Sequence, residues 1–166
     1  MKNNIILLAA SAAALSTGLY SAVISAASVT ATASANVISP LIITENTALN
    51  FGDVAVGLTG GDVILAPGGG RSVNGDAEAV LGGANSAGAF TITGQALKAY
   101  TLTFPPTVDI SGGVGTMDVT AFIDTSSGAI PAAGTETFNV GATLTIGGAQ
   151  APGLYSSTYT VTVNYQ

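Results

Sequence analysis

Apolar and polar residues alternate with period two through most of this chain, a pattern that suits a half-buried strand and not a helix. Val29, Ala31, Ala33, Ala35 and Val37 alternate with Thr30, Thr32, Ser34 and Asn36. Phe90 and Ile92 alternate with Thr91 and Thr93, and Tyr100, Leu102 and Phe104 bracket Thr101 and Thr103. Met117, Val119 and Ala121 flank Asp118 and Thr120, and Leu144 and Ile146 alternate with Thr143 and Thr145. The clearest run puts Tyr159, Val161, Val163 and Tyr165 on one face and Thr160, Thr162 and Asn164 on the other. Val and Thr are stiff at χ1 and pack well on a pleated surface.

Turn residues separate these runs. Asn74-Gly75 is the strongest hairpin signal, because a two-residue turn needs positive φ at both positions. Gly60-Gly61, Pro67-Gly68-Gly69-Gly70, Gly82-Gly83, Gly112-Gly113, Gly147-Gly148 and Pro152-Gly153 break the chain elsewhere. Short strands with turns at intervals of about 8 to 12 residues predict a sandwich or a barrel. The expected fold is an all-β sandwich of about 8–10 short, mainly antiparallel strands. A membrane barrel would call for longer strands and aromatic girdles, and aromatics make up only 6% of the chain. Gly52, inside the strand-like run from Leu49 to Val56, is expected to mark a bulge or a close backbone approach.

The first 27 residues read differently. Lys2 precedes an apolar run from Ile5 to Leu15, and Ser25-Ala26-Ala27 supplies a small-residue exit. This is the layout of a cleaved secretory signal, so export to the periplasm, cell surface or medium is expected. The rival reading is a retained anchor, but Ser11, Ser16, Thr17 and Gly18 dilute the stretch well short of the 20 or so apolar residues a span needs. Residues 28–166 then form a single domain, within which residues 28–39 are either its first strand or a strand donated to a neighbour.

Composition excludes several functions. The chain has no His and no Cys, which removes Ser-His-Asp and Cys-His nucleophiles and zinc sites of the usual kind. Beyond residue 27 there are two basic residues, Arg71 and Lys98, against nine acidic ones. That balance is the wrong sign for a phosphate backbone or an anionic membrane. Nucleic acid and stable membrane insertion after signal cleavage are therefore not expected.

Paired carboxylates could in principle hydrolyse a glycoside. Asp118 and Asp124 share parity on one predicted strand, where a straight geometry would place them roughly 20 Å apart, too far for that chemistry. Asp53, Asp62 and Asp76 lie near turns without the spacing of a calcium loop. Pro67-Gly68-Gly69-Gly70-Arg71-Ser72 lacks the Gly-Lys-Ser/Thr ending of a phosphate loop and reads as a plain turn. The chain is therefore expected to be no enzyme, with no catalytic, cofactor-binding or metal-binding residue and no cofactor.

Two segments do suggest a role. Residues 28–39 alternate immediately after the export signal, before Pro40 interrupts the ladder, and the last strand carries Tyr159, Val161, Val163 and Tyr165. Strand exchange between subunits needs one such element to donate and a sheet edge to receive. The candidate assembly residues are Val29, Ala31, Ala33, Ala35, Val37, Tyr159, Val161, Val163 and Tyr165. The alternative is that both segments are ordinary strands of a closed sandwich.

Ala35-Asn36-Val37-Ile38-Ser39-Pro40-Leu41, Leu49-Asn50-Phe51-Gly52-Asp53-Val54, Phe138-Asn139-Val140-Gly141-Ala142-Thr143-Leu144 and Pro152-Gly153-Leu154-Tyr155 followed by Tyr159–Tyr165 occur in that order. This set resembles a bacterial secreted family known only as a domain of unknown function, DUF4402, across nearly all the chain beyond the signal. The closing Gly-x-Tyr and alternating Val are also similar to pilin subunits of chaperone–usher fimbriae, including the spore-coat-U type. That second resemblance implies an immunoglobulin-like (pilin-like) sandwich exported through the periplasm and assembled at the cell surface. Its implied partners are copies of the chain itself and a periplasmic chaperone or usher. The family resemblance brings no catalytic residues. The expected function is a secreted, non-enzymatic structural subunit. The alternative is a monomeric surface binding module, lectin- or adhesin-like, although the chain has no Trp to stack on a sugar.

Overall fold

A computed structural model describes residues 26–80, 83–112 and 115–166. The expected signal segment therefore lies almost wholly outside the described residues. Among them are nine strands: β1 (Ile42–Thr47), β2 (Val54–Leu65), β3 (Arg71–Ala79), β4 (Gly88–Thr93), β5 (Tyr100–Thr103), β6 (Thr107–Ser111), β7 (Thr116–Asp124), β8 (Thr135–Ile146) and β9 (Thr162–Tyr165). All pairings are antiparallel, and the two sheets form an open sandwich, not a closed barrel. One sheet has seven strands, β1-β4-β8-β2-β3 with β7 on β8 and β6 on β7; the other is the pair β5-β9. No helix among the described residues is long and apolar enough to cross a membrane.

The long strand β8 organises the larger sheet. Its residues 135–140 pair with β4, its residues 142–146 pair with β2, and β7 pairs along 140–145. Its side chains feed two cores. Phe138 and Val140 join Phe90, Ile92, Tyr100 and Ile130, with Leu102 and Val163 of the small sheet packed on them. Phe90 and Phe138 face each other across the β4–β8 ladder with ring centroids 5.5 Å apart. Ala142, Leu144 and Ile146 join Phe51, Val63, Leu65, Ala77 and Val119 in the second core, to which β5 and β9 contribute nothing. One outward row is polar throughout: Asp109, Asp118, Thr145, Asp62 and Asn74 lie side by side across five strands.

Three expectations need correction. Residues 28–39 are not the first strand: residues 26–41 carry no strand, and β1 begins at Ile42. An alternating face of Ala and Val buries little apolar area, so nothing in its own composition forces this segment onto a sheet. The segment up to Asn36 falls in a separate unit from Val37–Gln166.

Asn74-Gly75 is not a hairpin turn. It lies inside β3, where Gly75 (φ +66°) faces Gly61 beside a register shift in β2 between Val56 and Gly61. A Cβ on Gly75 would come within 2.8 Å of the Gly60 carbonyl. The positive φ that would favour a turn here serves a bulge. The β2–β3 turn is the Pro67–Gly70 run, closed by Ala66 N to Gly70 O at 2.8 Å and Gly69 N to Ala66 O at 2.9 Å.

Asp118 and Asp124 do not share a face. Ala121 (φ +51°) marks a bulge in β7, with the register shifting between Thr120 and Ile123. Asp118 is exposed, whereas Asp124 is partly buried and accepts from the Ser126 amide at 2.9 Å and from the Ser126 hydroxyl. A single extra residue reverses the alternation.

Candidate functional site: an apolar groove

The second core is incompletely covered. The inner face of β2, β6, β7 and β8 presents Val56, Val108, Ile110, Met117, Leu144 and Ile146, and a groove of about 810 Å³ opens over it. Val56, Val108, Ile110 and Met117 are only partly buried. The physical cause is the shortness of the opposing layer. β5 and β9 have four residues each and cover the first core only.

Two walls border the groove. The first is the loop 48–53, fastened by hydrogen bonds and a cation. The Arg71 guanidinium donates to the carbonyls of Phe51 (2.6 Å) and Asp53 (3.1 Å) through Nη1 and of Val80 (3.0 Å) through Nη2. Gly52 takes φ +74° there, and a Cβ would lie 2.7 Å from Arg71 Nη1. The run from Leu49 to Val56 is therefore not one strand with a bulge at Gly52: residues 51–53 form a loop, β2 begins at Val54, and the groups that crowd Gly52 are the Arg71 guanidinium and the carbonyls of Gly83 and Ala84. Asn50 and Ser86 exchange both backbone bonds, at 2.8 and 2.9 Å, and Asn50 Oδ1 accepts from the Gly52 amide at 2.9 Å.

The second wall is the segment 150–161. Ser156 and Ser111 exchange backbone bonds at 3.0 and 3.3 Å. The Tyr155 hydroxyl donates to the Ala151 carbonyl at 2.7 Å and accepts from Gln150 Nε2 at 2.9 Å. A smaller cavity of about 410 Å³ lies beside this wall, between Ser157–Tyr159 with Val161 and the Ile43 and Glu45 of β1. It shares Ala48, Leu49, Ser157 and Tyr159 with the larger groove.

Tyr159 stands where the two spaces meet. Its ring centroid lies 5.2 Å from that of Phe122, which stacks in turn on Phe104 at 5.7 Å. Its hydroxyl is buried and has no hydrogen-bond partner. Burial, with a smaller contribution from the negative charge of Glu45, pushes that hydroxyl up to about 12. A buried unpaired hydroxyl costs about 1–3 kcal/mol relative to a satisfied one. The cavity edges carry only Glu45 and Asp53 as charged lining residues.

Family membership follows from the sequence that builds this scaffold. A family profile described as a domain of unknown function, DUF4402, matches residues 41–165. The chain belongs to the DUF4402 family. The matched span of this DUF4402 protein includes both cores and both groove walls, and it begins just after the alternating segment. No curated protein and no solved structure matches the chain.

The structure distributes the candidate assembly residues unevenly. Val29, Ala31, Ala33, Ala35 and Val37 are exposed and outside any strand, Val29 by 89% and Val37 by 93%. Val163 and Tyr165 lie in β9, opposite Leu102 and Tyr100. Tyr159 and Val161 precede β9 and line the cavities. Of the turn carboxylates, Asp62 accepts from the Thr145 hydroxyl at 2.8 Å and Asp76 from the Thr59 amide at 3.2 Å. Among the described residues no three acidic groups gather as a metal-ligand set.

The sequence marks Arg71 only as a charge beside a turn and Leu49 only as the start of a strand-like run, and it does not point to Val108 and Ile110. Val108 and Ile110 carry a short alternating signal that could have been read. The role of Arg71 has no local signal, because its three acceptors lie 9 to 20 residues away.

Proposed function

We propose that this DUF4402 chain is an exported, non-enzymatic structural subunit that assembles head to tail at the cell surface by β-strand addition. In this reading residues 28–37 of one copy enter the apolar groove of the next. The observation that carries it is the pairing of an uncovered apolar sheet face with an exposed alternating segment in the same chain. The signal-like first 27 residues and the pilin-like Gly-x-Tyr with alternating Val support export and surface assembly. Contacts of this heterologous kind form open fibres when the rotation between subunits does not close. Main-chain hydrogen bonds would supply affinity and alternate side chains the specificity.

Thermal unfolding and light scattering test this. Residues 37–166 retain both cores, so a chain cut there is the receiving body alone. Chain 28–166 is expected to form concentration-dependent oligomers, chain 37–166 to stay monomeric, and a peptide of residues 28–37 to raise the melting temperature of 37–166. A peptide at 100 times its Kd would add about 2.7 kcal/mol of stability. Oligomers that persist in 37–166, with no shift on adding peptide, would overturn the reading.

A further inference from the structure

We infer that the turn at Leu97 and Lys98 of one copy seats in the smaller cavity of the next, with the Lys98 ammonium against the Glu45 carboxylate. The inference rests on the head-to-tail assembly proposed above and adds a contact that residues 28–37 do not make.

The turn presents an apolar knob. Leu97 is 77% exposed. Its φ of +62° lies in a region that a bulky side chain seldom adopts. The other non-glycine residues held there, among the described residues, are both alanines. The turn is nevertheless firmly fastened. The Leu97 amide donates to the Ile130 carbonyl at 2.8 Å, and the Ile130 amide donates to the Lys98 carbonyl at 2.9 Å. Ile130 itself is buried. Backbone strain that its surroundings maintain clusters where ligands and partners are gripped. A side chain on a rigid turn also loses little freedom on docking.

Charge selects the occupant. Beyond residue 27 only Arg71 and Lys98 are basic. Arg71 is occupied by three carbonyls, whereas Lys98 is exposed. The cavity of about 410 Å³ has apolar walls from Ile43, Leu49, Phe90 and Val161, and Glu45 is its only charged lining residue. A Leu side chain and the stem of the adjoining Lys suit such walls, while the ammonium stays at the rim in water.

A chain cannot fill its own cavity. β1 begins at Ile42 opposite Thr93, just before the turn, and ends at Thr47 opposite Ala89, beside the cavity residues Ala48 and Phe90. The last segment follows the same line: the Tyr165 hydroxyl accepts from the Gln95 amide, and Tyr159 lines the cavity. Turn and cavity therefore sit at opposite ends of β1, and only a second copy can join them. Such a contact is heterologous and runs head to tail. The Ser39 amide donates to Gln95 Oε1, so the chain also enters the body at the end that carries the turn.

Charge reversal tests the contact. Chain 28–166 is prepared unsubstituted, as Lys98→Glu, as Glu45→Lys and with both changes, and light scattering gives the concentration of half-association. Each single reversal should raise that concentration roughly tenfold, because an attraction becomes a repulsion. The double reversal should return it to within about twofold of the unsubstituted chain, since the pair is restored with its signs exchanged. Leu97→Gly should also weaken association. It should not lower the melting temperature of chain 37–166, because Gly adopts positive φ without steric cost. Four charge versions that associate alike, a double reversal as weak as the single ones, or no association in any version would overturn the contact. The melting shift that the peptide of residues 28–37 gives chain 37–166 reports on strand addition separately. A retained shift with charge-insensitive association would remove this contact and leave strand addition standing. Loss of both would remove both.

Discussion

The Tyr165 hydroxyl donates to the Ser39 carbonyl at 2.8 Å and accepts from the Gln95 amide at 2.5 Å. One phenol thus ties β9 to the residues just before β1 and to the turn after β4. Ser39 is joined there a second time, its amide donating to Gln95 Oε1 at 3.4 Å. Chain 37–166 should therefore be more stable than chain 40–166, by about 1–2 kcal/mol for the lost hydrogen bonds. In a Tyr165→Phe background that difference should shrink by about half or more, because the two changes remove one shared contact. Urea titration of the four proteins measures it.

Among the described residues, Arg71 is the only charged side chain that fastens the loop 51–53. Arg71→Met should cost about 2 kcal/mol or more, since bonds to a charged donor are worth about 1.5–3 kcal/mol each where water is excluded and less where it is not. Arg71→Lys should recover less than half, because a single ammonium cannot reproduce a planar fork that serves three carbonyls. Chemical denaturation at neutral pH is the check.

Alkaline pH should destabilise the fold through two tyrosines. Tyr100 is held at about 12, first by burial and then by its hydrogen bond to Glu136, where its hydroxyl lies 2.7 Å from Oε2. Tyr159 is held at about 12 by burial. The unfolded chain releases these protons near the ordinary value of 10. Between about pH 10 and 12 the unfolded state thus binds fewer protons than the folded one, and stability falls as pH rises. Melting temperature against pH should decline through that window, and each Tyr→Phe change should lessen the slope.

The two hydroxyls should nevertheless behave oppositely at neutral pH. Tyr100→Phe breaks a made bond to Glu136, which also accepts from the Ser127 amide at 2.6 Å, and should destabilise by about 1 kcal/mol. Tyr159→Phe removes a buried group with no partner and should raise the stability of the isolated chain by about 1 kcal/mol. Calorimetry of both variants at pH 7 distinguishes them.

Asp109 and Asp118 sit directly opposite on β6 and β7, both exposed. Like charges in that register are unfavourable by about 0.2–1 kcal/mol. Asp118→Asn should therefore stabilise the protein at low ionic strength. The gain should fade in 0.5 M salt, where screening reaches only a few ångströms.

The sequence by itself determined the class of structure and which side chains face inward along most strands. Side-chain direction in a strand depends only on residue parity, so Phe90 and Ile92, or Leu144 and Ile146, could be placed before any partner was known. The missing His and Cys likewise needed no fold to interpret. What alternation cannot carry is the choice of partner, because pairing joins residues far apart in the chain. Residues 28–37 and 159–161 alternate as cleanly as β4, yet the isolated chain leaves both outside its ladders. Asn74-Gly75 had turn chemistry that the tertiary structure spent on a bulge, and Ala121 shifted β7 out of phase with no residue type to announce it. The groove exists because β5 and β9 are too short to cover both cores. That is a property of two layers packed together, and neither layer's sequence states it alone.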